Sequence, residues 1–218
     1  MNETVETGKI KILLADDHCV IRHGVIKSLV ESFPDAEYSE ASNAGEVLQR
    51  TLDNKFDIIL LDISMPGRNG LEVLKAVKDS QSETPVIIFT MYPEDQFGVR
   101  AIRNGASAYL TKDISLKELV EVIKKVLKHE RYLSPSLVEL ITNSLQHGHN
   151  ISPHQILSDR EFQVFLLIAS GKNVSTIARD LCLSVKTISV YRSNIITKMN
   201  LKNNSEITHY AFKNDLVN

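Results

Sequence analysis

Apolar positions over the first 130 residues fall into two alternating kinds of segment. Short, nearly unbroken runs of Ile, Leu, Val and Ala occupy residues 11–15, 58–61, 86–89 and 108–110, the composition of strands covered on both faces. Between them, residues 20–33, 44–54, 71–79, 99–104 and 116–128 carry apolar residues at helical spacing, and a weaker strand pattern at 37–41 completes a βα alternation. This alternation predicts a doubly wound α/β domain with a five-stranded parallel sheet over residues 1–130. In such sheets ligands sit beyond the carboxyl ends of the strands, at the point where the strand order reverses.

The pattern changes after Glu130. Residues 131–154 read as a linker: Ser134-Pro135-Ser136, an apolar stretch at 137–145 long enough for a short helix, then a polar run. His147, His149 and His154 invite a metal reading, but no cysteine accompanies them, and a solvated linker is the expectation.

Residues 155–218 are helical throughout, a small all-α domain. Ser158 followed three residues later by Glu161 forms a capping box that opens an apolar helix over 162–169, which Gly171 ends. A second helix is predicted at 173–181, then a tight connection through Cys182 and Leu183. Ser184 caps a third helix running to about Met199, and a fourth occupies 205–212. Two short helices joined by a tight turn make a helix-turn-helix.

On the third helix Ile188, Tyr191, Ile195 and Met199 share one face, while Lys186, Ser189, Val190, Ser193 and Thr197 take the other. Val190 is apolar where solvent is expected, which suits a thymine methyl group in a major groove. Ser189 and Ser193 can bond base edges, and Lys186, Thr187, Arg192, Lys198 and Lys202 suit phosphates.

Charge sharpens this division. The net charge of −2 hides an acidic first part, with 16 Lys+Arg against 21 Asp+Glu in residues 1–130, and a basic remainder, with 9 against 6. The first suits a cation site, the second an anionic partner. No apolar stretch is long enough to span a bilayer, and Met1-Asn2-Glu3-Thr4 lacks the basic then apolar pattern of a signal peptide, so the expected location is the cytoplasm, without membrane insertion. Cys19 and Cys182 fall in different domains and are expected to be reduced.

Asp16, Asp17, Asp62, Thr90 and Lys112 each lie at or just past the end of a predicted strand. Brought to one sheet edge, three carboxylates repel by about 4 kcal/mol per close pair at an effective dielectric near 20, so they call for a cation. Mg²⁺ is the expected one, since no His or Cys is expected at ligand spacing around them. Lys112 offers a fixed positive charge and Thr90 a hydroxyl donor to a phosphoryl group. The set is suited to receiving phosphate on a carboxylate.

These residues resemble those of the response regulators of two-component signalling: Asp16-Asp17-His18, Asp62 with Met65-Pro66-Gly67 and Gly70, Thr90, and Tyr109-Leu110-Thr111-Lys112 stand in that family's order over residues 9–130. The resemblance implies a flavodoxin-like receiver in which Asp62 is the phosphoacceptor for a cognate sensor histidine kinase. It further implies that Asp17, Asp62 and the carbonyl of Ser64 ligate Mg²⁺, Asp16 supports the metal through water, Lys112 pairs with the phosphoryl group, and Thr90 and Tyr109 form a switch pair. In that switch Thr90 is drawn inward and the Tyr109 ring turns from solvent toward the sheet.

The segments 157–161, 177–181, 184–188 and 192–195 closely resemble the LuxR-type output domain. Together the two parts resemble the NarL/FixJ class, which implies a DNA-binding transcriptional regulator, promoter DNA as partner and a homodimer in the phosphorylated or DNA-bound state. The base-reading face has serines and a valine where some members have lysines. An unphosphorylated receiver is expected to hide the third helix or prevent dimerisation. An aspartate-nucleophile phosphatase is a poor rival, because Ser64 stands where its second aspartate belongs; a protein-binding adaptor is opposed only by the basic second half.

Overall fold

A computed structural model describes residues 9–146 and 152–217; His147 and His149 lie outside the described residues, as does the N-terminal segment 1–8. Strands β1 (Lys11–Ala15), β2 (Glu37–Ala41), β3 (Ile58–Leu61), β4 (Val86–Thr90) and β5 (Ala108–Thr111) form one parallel sheet in the order β2-β1-β3-β4-β5. The chain leaves β1 toward one edge and β3 toward the other, so the carboxyl ends of β1 and β3 flank the switch point.

Alternate strand residues serve two cores. Leu13, Ile59, Leu61, Ile88 and Tyr109 face the layer made by α2 (Ala44–Asp53), α3 (Gly70–Ser80) and α4 (Glu94–Arg103). Ile12, Leu14, Leu60, Ile87 and Leu110 face α1 (Cys19–Ser32) and α5 (Leu116–Leu127). Burial on both faces explains why these strands read as continuous apolar runs.

Helix α4 begins five residues before the predicted 99. Its first turn, Glu94-Asp95-Gln96, carries no apolar periodicity. Pro93 precedes it, and two carboxylates sit where the N-terminal backbone N–H groups favour negative charge.

The linker is not a solvated spacer. Helix α6 (Pro135–Gln146) packs on α4, with Leu137 fully buried against Gly98, and the hydroxyls of Ser134 and Ser136 each donate to Glu94 Oε2 at 2.6 Å. A side chain at position 98 would collide with Leu137, so the glycine is what lets the two helices approach.

A 3-10 turn at Pro153–Ile156 follows, and its His154 is part of the packing: Nδ1 lies 3.0 Å from the Tyr210 hydroxyl, and the carbonyl accepts from Arg100 Nη2 at 2.8 Å. Burial, and then the neighbouring Arg100 charge, push the His154 pKa down to about 4. The unfolded chain, with its histidine near 6.5, takes up a proton first. The neutral imidazole therefore contributes stability that is complete above about 6.5 and is lost as pH falls toward about 4. Denaturant titrations across that window are expected to show a shallower pH dependence for His154→Asn than for wild type; equal slopes would discard the assignment.

Helices α7 (Asp159–Ala169), α8 (Val174–Asp180), α9 (Val185–Lys198) and α10 (Asn204–Lys213) complete the chain. The capping box at Ser158 and Glu161 is present, as are side-chain caps from Asn173, Ser184 and Asn203. The α8–α9 turn passes through Cys182 at φ 52, a left-handed conformation that a non-glycine residue adopts at some cost. Almost every residue of α7 is buried, because α9 and α10 cover one side and α3 and α4 the other. Its Phe162 meets Phe97 edge-on at 5.3 Å and lies under the Arg100 guanidinium at 4.3 Å, so the core of the helical domain is continuous with one layer of the α/β domain. Among the described residues no helix is long and apolar enough to cross a membrane.

Candidate phosphoacceptor and nucleic-acid interface

The parallel register carries Asp16 and Asp62 one residue past β1 and β3, side by side; the Asp62 N–H donates to the Ala15 carbonyl at 2.9 Å. Lys112, just past β5, places Nζ 2.6 Å from both Asp16 Oδ2 and Asp62 Oδ2. Burial by itself would lower the Lys112 pKa; the Asp62 charge and the contacts to Asp16 outweigh it and raise it above the ordinary value, so the ammonium keeps its charge. Ser64 N–H donates to Asp62 Oδ1 at 3.2 Å. Thr90 Oγ1 is fully buried and, among the described residues, has no hydrogen-bond partner. A buried hydroxyl left in that condition costs about 1–3 kcal/mol, which an acceptor oxygen arriving beside Asp62 would remove.

Asp17 completes the acidic cluster but is exposed. His18 joins it, correcting the expectation that no histidine would lie near: one ligand atom from each of Asp16, Asp17, His18 and Asp62 falls within a 4.8 Å group. His18 caps α1 directly after the two acids, and its Nδ1 lies 2.9 Å from Asp17 Oδ1 and 3.2 Å from Asp16 Oδ1. In the tautomer with its proton on Nδ1 those contacts are hydrogen bonds, and that nitrogen is then not a metal ligand. The remaining donors are hard carboxylate oxygens, the set that fits Mg²⁺.

Tyr109 departs from the expected resting position. Its ring is already inside, fully buried, and its hydroxyl donates to the Tyr92 carbonyl at 2.8 Å. Burial and the surrounding acids, Asp62 first among them, hold its phenol well above the usual range, so it donates at any ordinary pH.

On α9 the helical reading holds: Ile188, Ile195 and Met199 are buried with Tyr191 half-buried, while Lys186, Ser189, Val190, Ser193 and Thr197 are exposed. That exposure runs against the expectation that the receiver hides the third helix, because docking uses α7 and leaves the outer face of α9 free.

Several residues assigned to DNA have internal partners. Lys198 Nζ donates to Glu161 Oε2 at 2.7 Å and so braces the capping box of α7. Arg192 Nε donates to Asn204 Oδ1 at 2.6 Å, the Thr187 hydroxyl lies 2.7 Å from that of Ser184, and the Ser189 hydroxyl donates to the Val185 carbonyl. Lys186, Val190, Ser193 and Lys202 remain exposed.

Sequence reasoning missed the polar cluster between the two domains: Asn69, Tyr92, Arg160 and Gln163. A signal existed in Gln163, a lone amide inside the apolar run 162–169, which surface exposure does not explain because its helix is covered on both sides.

Known proteins share this arrangement. The family described as "Response regulator receiver domain" matches residues 12–124, and that described as "Bacterial regulatory proteins, luxR family" matches residues 155–211. The chain is 34% identical over 209 residues to the response regulator GacA of Pseudomonas syringae pv. syringae, covering 95% of this chain and 98% of that protein. It is 35% identical over 217 residues to the oxygen regulatory protein NreC of Staphylococcus haemolyticus, covering 95% and 99%.

Among solved structures, a LuxR-family two-component response regulator from Aurantimonas sp. SI85-9A1 superposes with a TM-score of 0.57 at 31% identity, covering 64% of this chain and 99% of the other. RcsB from Salmonella enterica serovar Typhimurium, bound to promoter rprA in the presence of a phosphomimetic, gives 0.62 at 22% identity over 93% and 98%, a likeness of fold. The chain belongs to the LuxR-family response regulators, non-enzymatic DNA-binding regulators of transcription built from a receiver and a helix-turn-helix domain.

Proposed function

We propose that Asp62 accepts a phosphoryl group from a sensor histidine kinase and that this event controls binding of promoter DNA by α9, with the chain acting as a homodimer in the cytoplasm. The observation that carries the reading is the buried Asp62 carboxylate, 2.6 Å from Lys112 and beside the partnerless Thr90 hydroxyl. A carboxylate oxygen of Asp62 forms the new O–P bond as the P–N bond to the kinase histidine breaks. Asp17, Asp62 and the Ser64 carbonyl are the residues to hold Mg²⁺, with Asp16 in support; when bound, the ion offsets carboxylate repulsion and neutralises phosphoryl oxygens. Lys112 neutralises a further oxygen, and Thr90 donates to another. Transfer of labelled phosphate from a phosphorylated kinase to the full chain, compared with Asp62→Asn, tests this half of the reading.

For the DNA half, Lys186 and Lys202 contact phosphates, Ser193 and Val190 meet base edges, and Arg192 reaches phosphate with the guanidinium nitrogens that Asn204 leaves free. Lys198, Thr187 and Ser189 stand at the margin of this surface, tied to the output domain's own frame. In mobility shifts at several salt concentrations, Lys186→Ala is expected to weaken binding to all sequences and to reduce the slope of log affinity against log salt by about one. Val190→Ala is expected to change preference at a base pair and to leave the slope alone. A slope unaltered by Lys186→Ala would remove that residue from the interface.

A further inference from the structure

Every polar atom of the Gln163 side chain is engaged between the two domains. Nε2 donates to the Tyr92 hydroxyl at 3.3 Å, while Oε1 accepts from Asn69 Nδ2 at 2.9 Å and Arg160 Nη1 at 2.7 Å. The Tyr92 carbonyl accepts from the Tyr109 hydroxyl at 2.8 Å, so the residue that meets Gln163 also holds Tyr109. Arg160 Nη2 reaches the Gly67 carbonyl at 3.1 Å and the Leu181 carbonyl, in the helix-turn-helix turn, at 3.4 Å. Both loops that flank the acceptor thus end on one side chain of α7. We propose that Gln163 is a positioning residue for the acceptor pocket: through Tyr92 it restrains the β4–α4 loop, so that docking of the output domain and phosphorylation of Asp62 oppose each other.

The proposal rests on the reading of Asp62 as acceptor, and its direction follows from two observations. Thr90 Oγ1 lacks a partner, and a phosphoryl group on Asp62 supplies one, drawing the start of the β4–α4 loop toward the site. Tyr109 is already inside and cannot absorb that movement by swinging in, so the strain passes to Tyr92, two residues beyond Thr90, and pulls it off Gln163.

One contact of the interface, that of Arg160, is held at a cost, although Arg100 pairs with Asp159 beside it at 3.2 Å. Arg160 is buried with neutral acceptors and, among the described residues, no carboxylate at ion-pair distance, and a desolvated cation without a counter-charge holds a contact at a cost. At equilibrium the coupling is reciprocal: docking disfavours the phosphorylated state, and the phosphoryl group loosens docking by the same factor.

Initial rates of phosphoryl incorporation from acetyl phosphate with Mg²⁺ test the proposal on full-length wild type, Gln163→Leu, Tyr92→Phe and the double variant. Each single substitution is expected to raise the rate roughly 5-fold, the low end of measured couplings between sites, and the double variant is expected to be no faster than the faster single. Tyr92→Phe keeps the ring and its packing, so it answers even if Gln163→Leu folds poorly. Rates at or below wild type, or single effects that multiply in the double variant, would overturn the proposal while leaving the acceptor in place. Incorporation that persists in Asp62→Asn would overturn both.

Discussion

Asp62→Asn is expected to reduce phosphoryl incorporation to background and to abolish any response of DNA affinity to a phosphodonor. The substitution keeps the shape of a side chain that is almost fully buried, so the loss is chemical: the amide offers no anionic oxygen to attack phosphorus. Lys112 keeps Asp16 at 2.6 Å, so its charge is still paired and the fold is expected to survive. Phosphate-affinity gels and circular dichroism together check both statements. Asp16 and Asp17 stand in the same cluster, and incorporation at the wild-type rate in Asp62→Asn would move the acceptor to one of them.

The second large effect is expected from Gly70→Ala, a change of one methyl group at the first residue of α3. Gly70 N–H donates to the Ile63 carbonyl at 3.0 Å, which ties the start of α3 to the chain leaving β3. A Cβ there would stand 2.6 Å from Ile63 Cα and closer still to the Asp62 carbonyl oxygen. Both are backbone atoms, and no rotamer change relieves the clash. Overpacking of this kind costs about 1–3 kcal/mol, and each kcal/mol lowers the thermal midpoint by about 2–4 °C in a chain of this size. Because the strained atoms belong to Asp62, the proposed acceptor, and to Ile63 after it, phosphorylation is expected to slow well beyond what the lost stability explains. A variant with unchanged midpoint and unchanged phosphorylation rate would show that the α3 start gives way without disturbing Asp62.

Much of the candidate acceptor site is legible along the chain for a geometric reason. In a parallel doubly wound sheet all strands run the same way, so whatever follows each strand in sequence is delivered to one edge in space. Asp16, Asp62, Thr90 and Lys112 needed only the strand ends to be located, and apolar runs locate them. The third output helix was legible too, because helical periodicity separates Ile188 and Ile195 from Lys186 and Val190 without knowledge of the partners. His18 was missed since its neighbours in space are its neighbours in sequence, and spacing rules for metal ligands look elsewhere. The start of α4 was missed because it rests on capping charge, not apolar period.

Sequence by itself determined the sheet, the helical tail, the acidic edge and the polarity of α9, since each depends on local period or on the ends of regular elements. Tertiary structure alone decided who partners whom among the polar groups. Asn69 meets Gln163 across 94 residues and Arg160 meets Gly67 across 93, while Lys198, basic and exposed by period, turns inward to Glu161. A hydrogen bond needs its two groups within about 3 Å, and only the docking of α7 on α3 and α4 brings such distant segments that close. The same packing laid the short helix of the linker on α4, where solvent was expected around it, and left the outer side of α9 uncovered.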